Sequence, residues 1–473
     1  MVGVIIACAT RYNLPMRSSG SFPVRSISRR FVILSEAKDL LLRALIARSA
    51  LFLFKLRHRS TGAVVVLILT AIAVAQSAPR SVTVPAAFDQ GRIVIDVDLP
   101  LRNGTTERVR GWVDNGTPDL YMNQRVAALL GLNVGCDGPV CSAPSKSSGA
   151  PLEVAIGGMK VPLSPVTEIK VPRGKPAIGP GMSAEINIPS TILRNYDVLI
   201  DFPGREFTIG VPGILKFNGI KSKMLIDAST GLIQLPSKID NKNYDLGLDL
   251  GSSASFLTEE LFGRLSSAHA NWPHLTGAVG PFNTGEQGDE PNWKLMRVDR
   301  IQYGPLFLTD VAVANLPTNL PNLRKTEAHV RIPGAGLLSS ETLLNYRVGL
   351  DYAHSTVFFD IGRTVKLPDF DVVGLILRPE DDNRFTIVGV ADFEGKPSVP
   401  DVQAGDHLIA VGDNPIAEFT LGQVWSLLEG APGQERKLTV ERAGKRFTVA
   451  AKVQHFLGEA PQNEDAKSKS KKK

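Results

Sequence analysis

The 473-residue chain carries an internal repeat, and a repeat constrains the fold more than any single motif does. "LRNYDVLIDFPGREFTIG" from Leu193 and "LLNYRVGLDYAHSTVFFDIG" from Leu343 share Asn195/Asn345, Tyr196/Tyr346 and Asp201/Asp351, each pair 150 positions apart. "LEVAIGGMKVPLSPVTEI" from Leu152 resembles "VDRIQYGPLFLTDVAVANL" from Val298, each reading as strand, Gly turn, strand. Upstream of these segments lie "GWVDNGTPDLYM" (from Gly111) and "LGLDLGSSASFL" (from Leu246). In both copies an alternating strand passes a polar turn, Asn103-Gly104 or Asn241-Lys242-Asn243, into an apolar strand ending in Asp-x-Gly. Nine residues beyond each Asp stands a helix cap, Asn123 or Thr258. That equal spacing selects Asp249 over the nearby Asp245-Leu246-Gly247. Each copy is mostly short strands with one helix and spans roughly 130 residues, an ordinary domain size.

These residues resemble the retropepsin-like and pepsin-like aspartic proteases, in which two related lobes each donate an Asp-Thr/Ser-Gly loop. The resemblance covers most of residues 85–362 as an order of elements. It implies a mainly β, two-lobed fold with a pseudo-two-fold repeat, lobe 1 at 81–211 and lobe 2 at 212–363, with Asp114 and Asp249 as the catalytic pair. Two neighbouring carboxylates share one proton because both cannot ionise cheaply, so one acts as base and the other as acid. Loop support falls to Asn115, Gly116 and Thr117 in the first copy and Leu250, Gly251 and Ser252 in the second. In the family the Thr or Ser after each Asp interlocks the lobes. Here Asn115 can donate and accept, whereas Leu250 can do neither. The family's hydrophobic-hydrophobic-Gly element behind the Asp is matched at "GAGLLSSETLL", with Ser339 in place of the Gly. The Gly-, Pro- and Asn-rich residues 270–293 read either as a flap over a substrate cleft or as a plain surface insertion.

From Asp369 the pattern changes. "AGDHLIAVGDNPI" followed by "TLGQVWSLLEGAPGQERKLTVERAGK" looks like a PDZ domain, small and α+β, at 366–456. The resemblance implies that peptide or protein C-termini add as a strand beside the turn Val373-Gly374-Leu375-Ile376, with Val424 and Leu428 of the helix lining the side-chain pocket.

Residues 61–78, "TGAVVVLILTAIAVAQSA", follow Lys55, Arg57 and Arg59 and end in a small-x-small site, a secretion signal cleaved before Gln76. An uncleaved N-terminal membrane anchor is the alternative reading of the 1–75 leader, although the apolar run is short of the roughly 20 residues a span needs. Of 53 Lys and Arg, 11 lie in that leader, with 2 of the 47 Asp and Glu, so the remainder has 42 basic and 45 acidic residues. Nothing there suggests a nucleic-acid surface, and the lysines of "KSKSKKK" in the 457–473 tail read as a solvated, disordered end. In an exported chain, periplasmic or extracellular, Cys136 and Cys141 read as a loop-closing disulfide rather than a metal site.

No His-Glu-x-x-His helix is present for a zinc peptidase, and His269, His274, His329 and His354 sit in no serine-protease context. No cofactor and no metal is implied. Two readings remain: an exported aspartic-type endopeptidase with a peptide-binding PDZ module, or a catalytically inactive peptide- or protein-binding adaptor on the same fold. A monomer suffices for either, since both half-sites lie in one chain.

Overall fold

The computed structural model describes residues 79–460, apart from 137–139, 148–149, 174–180, 286–289, 316–333, 365–368 and 381. The expected signal or anchor and the lysine-rich end lie outside the described residues.

The described chain is mostly β, and its two halves repeat element by element. In the first, Arg92–Pro100 pairs antiparallel with Thr106–Asp114; in the second, Ile233–Ile239 pairs antiparallel with Lys242–Asp249. Asp245 lies inside this second hairpin, opposite Pro236, which leaves Asp249 at the strand end as the spacing predicts. After each Asp come a two-residue strand and a helix, Gln124–Leu129 or Glu259–Ala268. Both expected caps form: Asn123 accepts from the Val126 amide and Thr258 from the Leu261 amide. A second hairpin follows, Glu153–Ile156 with Met159–Pro162 or Lys294–Tyr303 with Leu306–Asn315, each turning at Gly with positive φ (Gly157 and Gly158; Gly304).

The halves meet in a shared antiparallel sheet. Asp197–Asp201 pairs with Tyr346–Asp351, and Leu199 faces Gly349. Those two are 150 residues apart, the repeat offset, so the pseudo-two-fold axis passes between them. Ser81–Asp89 extends the sheet beyond Glu206–Gly210 on one side, and Ile220–Lys223 extends it beyond Thr356–Ile361 on the other. Strand alternation drives the packing: Ile93, Ile95, Val97 and Leu99 are fully buried in a core that runs through both lobes. Each such side chain contributes about 1.5–3 kcal/mol.

Beyond the lobes, Leu375–Pro379, Phe385–Val390, His407–Val411, Glu435–Arg442 and Lys445–Lys452 form a sheet in that order. The helix Leu421–Leu428 starts with a reciprocal cap between Thr420 and Gln423 and packs with Val424 and Leu428 buried. Its core is continuous with Ala254, Phe256, Trp293 and Leu295 of the second lobe.

Two expectations change here. The described part of residues 270–293 is neither a flap nor a surface insertion: Ala278, Val279 and Phe282 are buried in the same core, and the buried Asn283 bonds to Leu377 of the C-terminal sheet. The tail expected from residue 457 does not begin there, because Leu457 and Ala460 are buried. The Leu457 carbonyl accepts from Arg297 and the Ala460 amide donates to Asp310.

Candidate active site

Each Asp-x-Gly loop follows a strand whose alternate residues are buried toward its end, and a parallel strand lies behind it. Ile186–Pro189 runs beside Thr106–Asp114 with Pro189 opposite Asp114; Gly336–Ser339 runs beside Lys242–Asp249 with Ser339 opposite Asp249. Pro189 and Ser339 are again 150 residues apart. The next residues, Ser190 and Ser340, brace the loops. Ser190 Oγ donates to the Thr117 carbonyl (2.8 Å) and Ser340 Oγ to the Ser252 carbonyl (2.8 Å), the third residue after each Asp.

Inside the loops the carboxylates are held by their own turns. Asp114 Oδ1 accepts from the Gly116 amide at 3.0 Å, and Asp249 Oδ1 accepts from Gly251 and Ser252 at 2.9 and 3.0 Å. Across the lobes the contact is reciprocal. A Cβ on Gly116 would fall 2.2 Å from Asp249 Cγ, and a Cβ on Gly251 would fall 2.5 Å from Asp114 Oδ1. Only glycine lets each loop backbone lie directly against the opposing carboxylate. Asp114 and Asp249, far apart in sequence, thus come together on the pseudo-two-fold axis.

Asn115 joins the loops. Its buried amide donates to the Leu248 carbonyl and accepts from the Leu250 amide, both at 2.7 Å, so one side chain bonds the residues flanking Asp249. Leu250 is buried and returns no side-chain bond. Trp112 supplies a further link, its Nε1 donating to the Gly251 carbonyl at 3.0 Å.

Two phenols stand near the carboxylates. Burial pushes the Tyr303 hydroxyl well above its usual range, with the Asp249 charge adding to the shift, and the hydroxyl donates to the Gly247 carbonyl. Burial also raises Tyr121, against the pull of Lys170 and with help from Asp119 and Asp114.

No family model matches the chain, and no curated protein does. Among solved structures, an aspartic proteinase from Irpex lacteus aligns at TM-score 0.36 and 12% identity, over 60% of this chain and 97% of its own. The basic 7S globulin from soybean aligns at TM-score 0.33 and 12% identity, over 59% and 95%. The site stands on its own geometry.

The remaining sequence candidates fall elsewhere. Cys136 and Cys141 form the expected disulfide. Val373, Leu375, Ile376, Val424 and Leu428, expected to line a peptide groove, are fully buried. A Cβ on Gly374 would lie 2.3 Å from Phe456 Cζ and from Ser398 Oγ. Asp369, Asp371 and His455 converge closely enough to suggest metal ligands among the described residues. Asp369, however, is already ion-paired with Arg297, and Asp371 Oδ1 lies 2.7 Å from His455 Nδ1.

Three contributors were not picked out from sequence. Trp112 gave no signal as an interlobe donor. Ser190 and Ser340 did, since they lie one repeat offset apart.

Proposed function

We propose that the chain is an exported aspartic-type endopeptidase. The observation that carries this reading is the reciprocal seating of the Asp114 and Asp249 carboxylates against Gly251 and Gly116, locked by Asn115. Two carboxylates in that arrangement share one proton. The ionised one removes a proton from water as the water attacks the scissile carbonyl carbon. The protonated one gives its proton to the carbonyl oxygen; as the tetrahedral gem-diol collapses it takes a proton back from a hydroxyl, and the carboxyl that accepted the water proton passes it to the leaving amine. Before substrate binds, the two roles are interchangeable. The hydrogen bonds within and between the loops hold the carboxylates in fixed positions, which is where most of the rate advantage arises.

Export is supported by the leader's signal pattern and by the Cys136–Cys141 bridge, which suits an oxidising compartment. The C-terminal module we read as PDZ-like from its strand, turn and helix order. The buried, unreciprocating Leu250 favours a second reading, an adaptor that binds peptides without cutting them.

The test is inhibitor class. Cleavage of unstructured peptides by the chain from Gln76 is expected to survive chelators and serine- or cysteine-directed reagents, and to be blocked by peptides carrying a tetrahedral hydroxyl isostere at the scissile bond. Cleavage stopped by a chelator would contradict the carboxylate mechanism.

A further inference from the structure

The C-terminal sheet ends in the strand Leu375–Pro379, which pairs on one side with Phe385–Val390. Its other side faces the helix Leu421–Leu428, the groove in which the sequence resemblance places a captured peptide. In the structure that groove is occupied by the chain itself. Residues 278–284 of the second lobe, with the short helical turn Gly280–Phe282, enter it.

Asn283, fully buried, is the anchor. Its Oδ1 accepts from the Leu377 amide at 2.9 Å and its Nδ2 donates to the Leu377 carbonyl at 2.8 Å. One primary amide thereby meets both backbone groups of an edge-strand residue, as a residue of an added strand would. Oδ1 also accepts from Trp425 Nε1 of the facing helix at 3.1 Å, and Nδ2 also donates to Glu290. Two donors and two acceptor sites are the full capacity of an Asn side chain, and all four are used. On either side of Asn283 the segment lies close to the strand. A Cβ on Gly277 would fall 2.9 Å from Ile376 Cδ1, and one on Gly285 would fall 2.6 Å from Pro379 Cδ. Phe282 stacks on Phe370 at 5.7 Å.

In the turn expected to hold a terminal carboxylate, two amides already have partners. The Val373 amide donates to the Leu428 carbonyl and the Leu375 amide to the Val373 carbonyl. From the first lobe, Gln90 Nε2 reaches the Asn283 carbonyl at 3.0 Å, and Asp89 accepts from Thr420 at the helix start.

We propose that the groove is an internally liganded site. Residues 278–284 are its resident ligand, and the module clamps the second lobe, with the Asp89-Gln90 turn of the first, instead of capturing free peptide C-termini. The clamp holds whether or not the Asp pair cuts peptides.

The test is a titration of the full chain from Gln76 with labelled peptides ending in a free carboxylate, with the same peptides amidated, and with a capped "GAVGPFNTG" peptide copying residues 277–285. Wild type is expected to bind none of them measurably, and its Leu377 amide is expected among the slowest to exchange with solvent deuterium. Asn283→Ala is expected to bind the capped peptide at least tenfold more tightly than wild type does. Wild-type binding of free-carboxylate peptides that weakens tenfold on amidation would overturn the proposal, and so would Leu377 exchange at loop rates. Should Asn283→Ala fail to fold, the wild-type titration and exchange still decide.

Discussion

At the scale of single residues, Asn115 is the feature most easily misjudged. As a departure from Thr or Ser it suggests a weakened interlock, yet its longer amide reaches both the Leu248 carbonyl and the Leu250 amide. Asn115→Leu is expected to leave these two buried backbone groups unpaired, at about 1–3 kcal/mol each, read as a lowered denaturant midpoint together with a fall in kcat. Gly116→Ala acts differently. Its Cβ must push the Asp249 carboxylate aside, so kcat is expected to fall about 100-fold while the thermal midpoint moves little by comparison. Asp89 gives a pH signature. Burial raises its carboxyl above the ordinary 3.8, partly offset by Arg92 and by bonds from Thr420 and Gly422. The folded state therefore holds this proton more tightly than the unfolded state does. The resulting penalty is absent below the unfolded pKa and grows as pH rises through the folded one. Asp89→Asn is expected to be more stable than wild type near neutral pH, with the difference vanishing near pH 4, as urea midpoints across that range would show.

At the scale of elements, the legible parts of the sequence were those governed by local rules. Asp249 was separable from Asp245 because helix caps sit at a fixed distance past each loop, and both caps form. The shared sheet was written in the 150-residue offset. The role of residues 270–293 was not legible, because Gly, Pro and Asn mark irregular backbone without saying what covers it. What covers it here is the C-terminal sheet, more than 80 residues further along the chain. The strands and the helix after residue 369 were likewise visible, while what packs against them was not. In the turn before His407–Val411, the buried Asp406 receives both Nε and Nη2 of Arg442, at 2.6 and 2.7 Å, and accepts from the Gln403 amide. The Arg442 bonds lead in holding this carboxyl below its ordinary 3.8. A depressed pKa contributes stability above the unfolded value that is lost as pH falls through the folded one. Asp406→Asn is expected to destabilise the chain at neutral pH and much less at strongly acidic pH, measured by calorimetry.

At the scale of the whole molecule, two related lobes close one site and a third body holds the second lobe from outside. The core of that body takes in Ala254 and Phe256, on the chain leaving the Asp249 loop, and Trp293, which meets Phe256 edge to face. Truncation before residue 365 strips this apolar surface bare and is expected to yield an aggregating product, as light scattering beside the intact chain from Gln76 would show. The central claim is that Asp114 and Asp249 work as a pair, and cleavage tests it most directly. A mixed peptide library is incubated with the chain from about pH 3 to pH 8, beside Asp114→Asn and Asp249→Asn, with products read by mass spectrometry. Wild type is expected to cleave, with a loss of at least ~10³-fold in either variant and the fold unchanged. Cleavage that persists in either variant, or a folded wild type that cuts nothing at any pH, would contradict it.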